Sequence, residues 1–236
     1  MNNQFDVYRD EIIKYEPLKQ TMVYDCEKWS NWLKQVNYSL ENELKEVHLT
    51  FNGQISRANL IKYAENLNND KSAKHSIQFF LACMMWGYGG DLDKKNSDFR
   101  GPYRVKQILN SSEEVKENIH EAFCSISNGN IEIAFKKLSK IKGLSISFLS
   151  KFLYFASRGC KIEKYALIFD VRVAKGIIQL ISSRKDLVNI VSITPSIEYE
   201  HFDEYLNFAH ELGKRYECEA ENIELFLFEQ ANREEI

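Results

Sequence analysis

Asp170 and Lys151 are the two residues whose type and setting carry chemistry. Asp170 follows the apolar run Ala166-Leu167-Ile168-Phe169 and precedes a stretch in which Ala174, Ile177, Ile178 and Ile181 recur with helical spacing. That is the position of an N-cap, and a structural cap accounts for the residue by itself. A carboxylate at such a place can also stabilise developing positive charge or take up a proton. Lys151 lies on a segment where Phe148, Leu149, Phe152, Leu153, Phe155 and Ala156 cover most of a helix's circumference. Ser147, Lys151, Tyr154 and Arg158 form one polar stripe on it. Helical side chains lean toward the N-terminus, so Lys151 reaches back over Ser147. A lysine attacks only as the neutral amine, which requires desolvation and nearby cations to lower its pKa. The apolar helix and the dense local lysines supply both, while a lysine snorkelling to the surface is the structural alternative.

Just before this helix the chain reads Lys136-Lys137-Leu138-Ser139-Lys140-Ile141-Lys142-Gly143-Leu144-Ser145. A helix ending in lysines, a short turn and a second helix make a hairpin. Gly143 lets the backbone turn tightly and approach a ligand closely. The turn offers unpaired amides at a helix start, where a phosphate binds, and Lys140 and Lys142 strengthen that hold in a salt-dependent way.

Ile141-Lys142-Gly143-Leu144-Ser145 resembles the hairpin of the helix-hairpin-helix DNA glycosylases. Ile168-Phe169-Asp170-Val171-Arg172-Val173-Ala174 resembles their catalytic-aspartate segment, and the order and gap match 8-oxoguanine glycosylase-like members. The resemblance covers about residues 131–180. It implies two helical lobes around a cleft that binds duplex DNA with a flipped-out base. It also implies that Asp170 faces the sugar C1′, and that a monovalent cation can sit at the hairpin. Ser145 replaces the family's second glycine. Ser147 takes the register of the lysine that, in strand-cleaving members, attacks C1′ and forms a Schiff base. Two mechanisms stay open: Lys151 supplies the amine from one turn along, or Asp170 activates water and only the base is removed. An oxidised purine such as 8-oxoguanine is the expected substrate, with modified bases of foreign DNA as an alternative. A hairpin protein that binds DNA without excising a base is one competitor; an all-α interaction protein with a chance motif is another.

Base excision needs a pocket that sandwiches the extruded base. Trp86, Tyr88 and either Phe226 or Phe228 are candidate walls, though a residue of each kind is more often core than pocket. Arg100, Tyr103 and Arg104 follow a glycine-rich loop and are candidates to fill the vacated stack or contact the opposite strand. Arg172 and Lys175 share a face after Asp170 and suit phosphates.

The elements that must position these groups are helical almost throughout, which predicts a single all-α domain over 1–236. Amphipathic helices are expected at 26–37 and 41–47, with Leu49-Thr50-Phe51 as a brief extended piece. Ser56 caps a helix to about Leu67, and Ala73 to Trp86 is a central buried helix. A loop follows through Asp98, and a helix resumes near Tyr103 with Pro102 in its first turn. Further helices start near Ser112 and span 131–140, 203–215 and 220–230, around the segments 141–158 and 166–182.

Net charge is −3, but residues 136–185 hold 12 Lys/Arg against 2 Asp/Glu, whereas 186–236 hold 3 against 13. Gripping a phosphate backbone needs a local basic face, and the first block supplies it. The acidic block is expected to be a solvated face turned from DNA, or a contact for a partner protein. Five scattered cysteines imply reduced thiols in a cytoplasmic protein. No catalytic metal is expected from the scattered histidines. The longest apolar stretch, Ile77 to Trp86, is half a membrane span, so no membrane partner is expected, and a monomer is.

Overall fold

A computed structural model describes residues 3–37, 39–89, 101–181 and 198–231. Among the described residues the protein is all-α apart from one two-stranded sheet. Two short helices, α1 (Asn3–Asp6) and α2 (Arg9–Ile12), and a 3₁₀ turn (Pro17–Lys19) lead into β1 (Thr21–Val23). Then come α3 (Cys26–Leu33), α4 (Glu41–Phe51), β2 (Gln54–Ser56), α5 (Arg57–Leu67) and α6 (Ala73–Gly87). The rest is α7 (Pro102–Leu109), α8 (Val115–Ser127), α9 (Ile131–Ser139), α10 (Ile146–Gly159), α11 (Val171–Ile181), α12 (Tyr199–Tyr216) and α13 (Ala220–Gln230).

Leu49-Thr50-Phe51 is helical, not extended. Leu44, Val47 and Phe51 recur at i, i+3 and i+7 and are buried together, so burial carries α4 on until Asn52 turns it off with a left-handed φ of 47°. The extended piece instead lies beyond Gly53, where β2 pairs antiparallel with β1 and Met22 faces Ile55. The helix expected from Ser112 begins at Val115, where the first buried apolar residue stands.

From Ser76 to Trp86 every residue of α6 is buried, as an all-round apolar helix requires. It packs on α4, α5, α8 and α10. The buried apolar side chains join into one connected core. Both ends of the described chain close on the same unit: Tyr216 Oη donates to Asp6 (2.8 Å), and Asn222 Nδ2 donates to the carbonyls of Ile12 (3.2 Å) and Tyr15 (2.9 Å). Among the described residues no helix is long and apolar enough to cross a membrane.

Candidate active site

The segment that delivers Asp170 has no regular secondary structure, yet Tyr165 to Phe169 is buried. Its backbone groups must therefore be satisfied by side chains. Phe169 N–H donates to Ser150 Oγ (3.0 Å) and Ala166 N–H to Ser157 Oγ (2.9 Å), both on α10. Tyr205 Oη donates to the Ile168 carbonyl (3.1 Å), and His210 Nε2 to that of Tyr165 (2.8 Å), both from α12. At the end of this clamped segment Asp170 caps α11. Its Oδ1 accepts the N–H groups of Arg172 (3.0 Å) and Val173 (3.1 Å). The cap consumes one carboxylate oxygen and aims the other.

Asp170 Oδ2 stands 3.6 Å from Lys151 Nζ. Lys151 does not snorkel: its side chain is 8% exposed, against 16% for Asp170. Nζ reaches back one turn, donating to both the carbonyl and the Oγ of Ser147 at 3.0 Å, and lies 5.2 Å above the Phe148 ring. Burial lowers the pKa of Lys151. The carboxylates of Asp170 and Glu224 oppose that shift, and the Arg57 guanidinium adds to it.

These groups open onto one cavity of about 570 Å³. Ser147, Lys151, Asp170, Arg172, Trp86 and Phe228 all line it. A larger cavity of about 840 Å³ lies against α3 and α4 and contains none of them. Trp86 packs edge-on against Phe155, and its buried Nε1 meets no hydrogen-bond partner among the described residues. Phe228 lies under the Arg172 guanidinium, 4.9 Å away. Tyr88 stacks on Phe148 at 4.1 Å beside the cavity but does not line it. Phe226 is turned the other way, fully buried against Tyr8 and Tyr15. Two residues apart on a helix means about 200° of rotation, so Phe226 and Phe228 cannot share one wall.

The turn between α9 and α10 holds Gly143 at φ +87°, a conformation a side chain would strain. Ser145 is the N-cap of α10, with no side-chain cap bond of its own. Lys140, Lys142, Gly143 and Ser145 are exposed. Arg104 from α7 joins Lys142 and Gly143 around a third cavity, of about 520 Å³. Lys175 is exposed on α11 beside Arg172. Arg100 lies outside the described residues.

Sequence patterns alone miss three polar lining residues: Gln20, Arg57 and Glu224. Arg57 Nη1 and Nη2 hold the Glu224 carboxylate at 2.6 and 3.2 Å, with both side chains essentially unexposed. Burial raises the Glu224 pKa and Arg57 opposes it. The acidic C-terminal block is therefore not wholly a solvated face. Glu221 is also buried, bonded to Tyr154 Oη and to Arg158 Nη2 (3.2 Å). The polar stripe of α10 thus meets α13 and the cavity, not solvent. Glu221 and Glu224 stand among Ala220, Ile223, Leu225, Phe226 and Leu227, and charges one turn apart on an otherwise apolar helix are the signal that marks them.

No curated protein and no solved structure matches the chain. The model of a family described as "Putative 8-oxoguanine DNA glycosylase OGG-like protein" matches residues 15–228. That span takes in the cavity, its lysine and its capping aspartate, and the chain belongs to this OGG-like glycosylase family.

Proposed function

We propose that the protein is a DNA glycosylase that removes an oxidised purine, 8-oxoguanine foremost, and cleaves the strand through Lys151. The observation that carries this reading is a buried lysine amine 3.6 Å from a capping carboxylate, on the wall of a cavity with aromatic sides. Desolvation favours the neutral amine, the form that attacks. The Lys151 Nζ–C1′ bond forms as the C1′–N bond to the base breaks, and that electron pair leaves on the base. Asp170 Oδ2 stabilises the oxocarbenium-like charge and takes the proton the amine loses. Opening of the sugar ring passes the remaining amine proton to the ring oxygen and leaves an imine; a C2′ proton then goes to the base that left as an anion, and the 3′ phosphate is expelled. Water then hydrolyses the imine and frees Lys151. Ser147 Oγ and carbonyl hold Nζ in line between turnovers.

DNA is held by the exposed hairpin, with Lys140, Lys142, Gly143 and Ser145 at one phosphate and Arg172 and Lys175 nearer the scissile sugar. Trp86 and Phe228 flank the extruded base, with Tyr88 behind. Arg104 joins the grip from α7. The protein acts as a monomer on duplex DNA, and the hairpin turn around Gly143 is where a monovalent cation would be held.

The deciding experiment incubates the protein with duplexes carrying 8-oxoguanine opposite each normal base, with and without borohydride. Strand breaks without alkali, and a borohydride adduct absent from Lys151→Gln, are expected. Breaks only after hot alkali would assign the attack to water activated by Asp170. DNA binding without any base release would leave a binding-only protein.

A further inference from the structure

Arg57 makes more directed contacts than any role in packing requires. Its backbone N–H donates to the Gln20 carbonyl (2.9 Å) and its Nε to Gln20 Oε1 (2.7 Å). Nη1 and Nη2 take the two oxygens of Glu224. The guanidinium lies 5.4 Å from the Trp86 ring and 5.2 Å from that of Tyr154. One side chain thus ties together the segment before β1, the end of α6, α10 and α13. Gln20, Trp86 and Glu224 all line the cavity that holds Lys151 and Asp170. Arg57 and Glu224 have essentially no exposed surface, whereas Gln20 is partly exposed. Gln20 can meet a ligand directly; Arg57 acts only through its neighbours.

A guanidinium donates and never accepts. The amide atom of Gln20 facing Arg57 Nε is therefore the oxygen, and the NH₂ is what Gln20 can offer elsewhere. An unanchored glutamine side chain would present either end. We propose that Arg57, braced by Glu224, is a positioning residue that locks the Gln20 amide with its N–H donors available to the cavity. The wall then selects a ligand edge carrying a hydrogen-bond acceptor, such as a base carbonyl or ring nitrogen. That the ligand is a base rests on the glycosylase reading; the lock itself does not.

The test follows the Gln20 side-chain amide by nitrogen-15 NMR, assigned by its loss in Gln20→Met, and needs no substrate. In the wild type its two protons should be resolved and exchange slowly. In Arg57→Lys, which keeps the charge but not three aligned donors, they should move to free-glutamine shifts and exchange fast. Glu224→Gln, which removes the brace, should loosen the same amide if Arg57→Lys fails to fold. An unchanged Gln20 amide in a folded variant overturns the proposal. On DNA, the ratio of base release to nicking of a preformed abasic duplex should fall about tenfold in Arg57→Lys, the upper end for a lost neutral hydrogen bond. Gln20→Met should lower the same ratio, and the double variant no further than the worse single one. Additive losses, or equal loss of both activities with a lowered Tm, would make Arg57 purely structural. If the wild type neither releases a base nor nicks, the glycosylase reading falls while the amide spectrum still decides the lock.

Discussion

Lys151 and Asp170 oppose each other in charge, and pH makes that opposition measurable. Burial lowers the Lys151 pKa while Asp170 pulls it back up, so the neutral amine accumulates below the ordinary lysine value of about 10.4. Borohydride trapping on a preformed abasic duplex should therefore rise with pH and level off below that value. In Asp170→Asn the residual trapping should be slower by roughly 10²–10⁴, the span of a lost acid–base group. Its rise should also move to lower pH, because the charge that raised the lysine is gone. A rise displaced upward would contradict the geometry. The same shift links to stability with a definite sign. Between the lowered folded pKa and about 10.4 the unfolded chain binds more protons, so stability rises with pH through that window. Below the window the cost of burying the ammonium is felt in full. The two residues were legible because each is odd where it stands: a lysine on an apolar helix, an acid at a helix start. Arg57 was not, since an arginine at the first position of a capped helix looks solvent-exposed, and its partner Glu224 lies 167 positions away.

Among the elements, the crossing of α11 and α13 sets the width of the cavity, because one carries Asp170 at its start and the other Glu224 and Phe228. Gly176 is the contact point. A Cβ built there would come within 2.0 Å of the Leu227 carbonyl oxygen, which is backbone and cannot swing aside. Gly176→Ala should cost about 1–3 kcal/mol, as overpacking does, and a denaturation midpoint near that of the wild type would show that the helices can part. Ser150→Ala probes the clamp on the aspartate segment. It leaves the buried Phe169 N–H without a partner, at about 1–3 kcal/mol, and should slow base release by displacing Asp170. Helix positions were readable where apolar residues kept a 3.6-residue period, as in α5, or ran on for the length of a helix, as in α6. The period was masked at Leu49-Thr50-Phe51, where a β-favouring triplet hides the i, i+3, i+7 spacing of Leu44, Val47 and Phe51. It also gave no account of 165–169, whose backbone is held by four side chains from two helices rather than by a ladder of its own.

For the whole molecule, net charge is a poor guide, because the basic block largely cancels within the fold. Lys136 pairs with Glu132, Lys137 with Glu121, Arg158 with Glu219 and Glu221, Lys161 with Glu65 and Lys164 with Asp203. Lys140, Lys142 and Lys175 make no ion pair among the described residues; the first two stand exposed at the hairpin, and Lys175 is exposed on α11 with Arg172. Lys140→Gln with Lys142→Gln should flatten the plot of log K for duplex DNA against log salt by about one to two units, with Tm unchanged. An unaltered slope would move the DNA face elsewhere. Finally, the Arg57–Glu224 bond spans most of the chain. During synthesis the ribosome releases α5 and α6 long before α13, so the guanidinium has no anion to meet until the last described helix emerges. A nascent chain can display its hairpin early, yet the cavity behind it closes only after α13 has left the exit tunnel. Such long-range closure is slow, so this wall of the cavity forms after the local helix contacts around it.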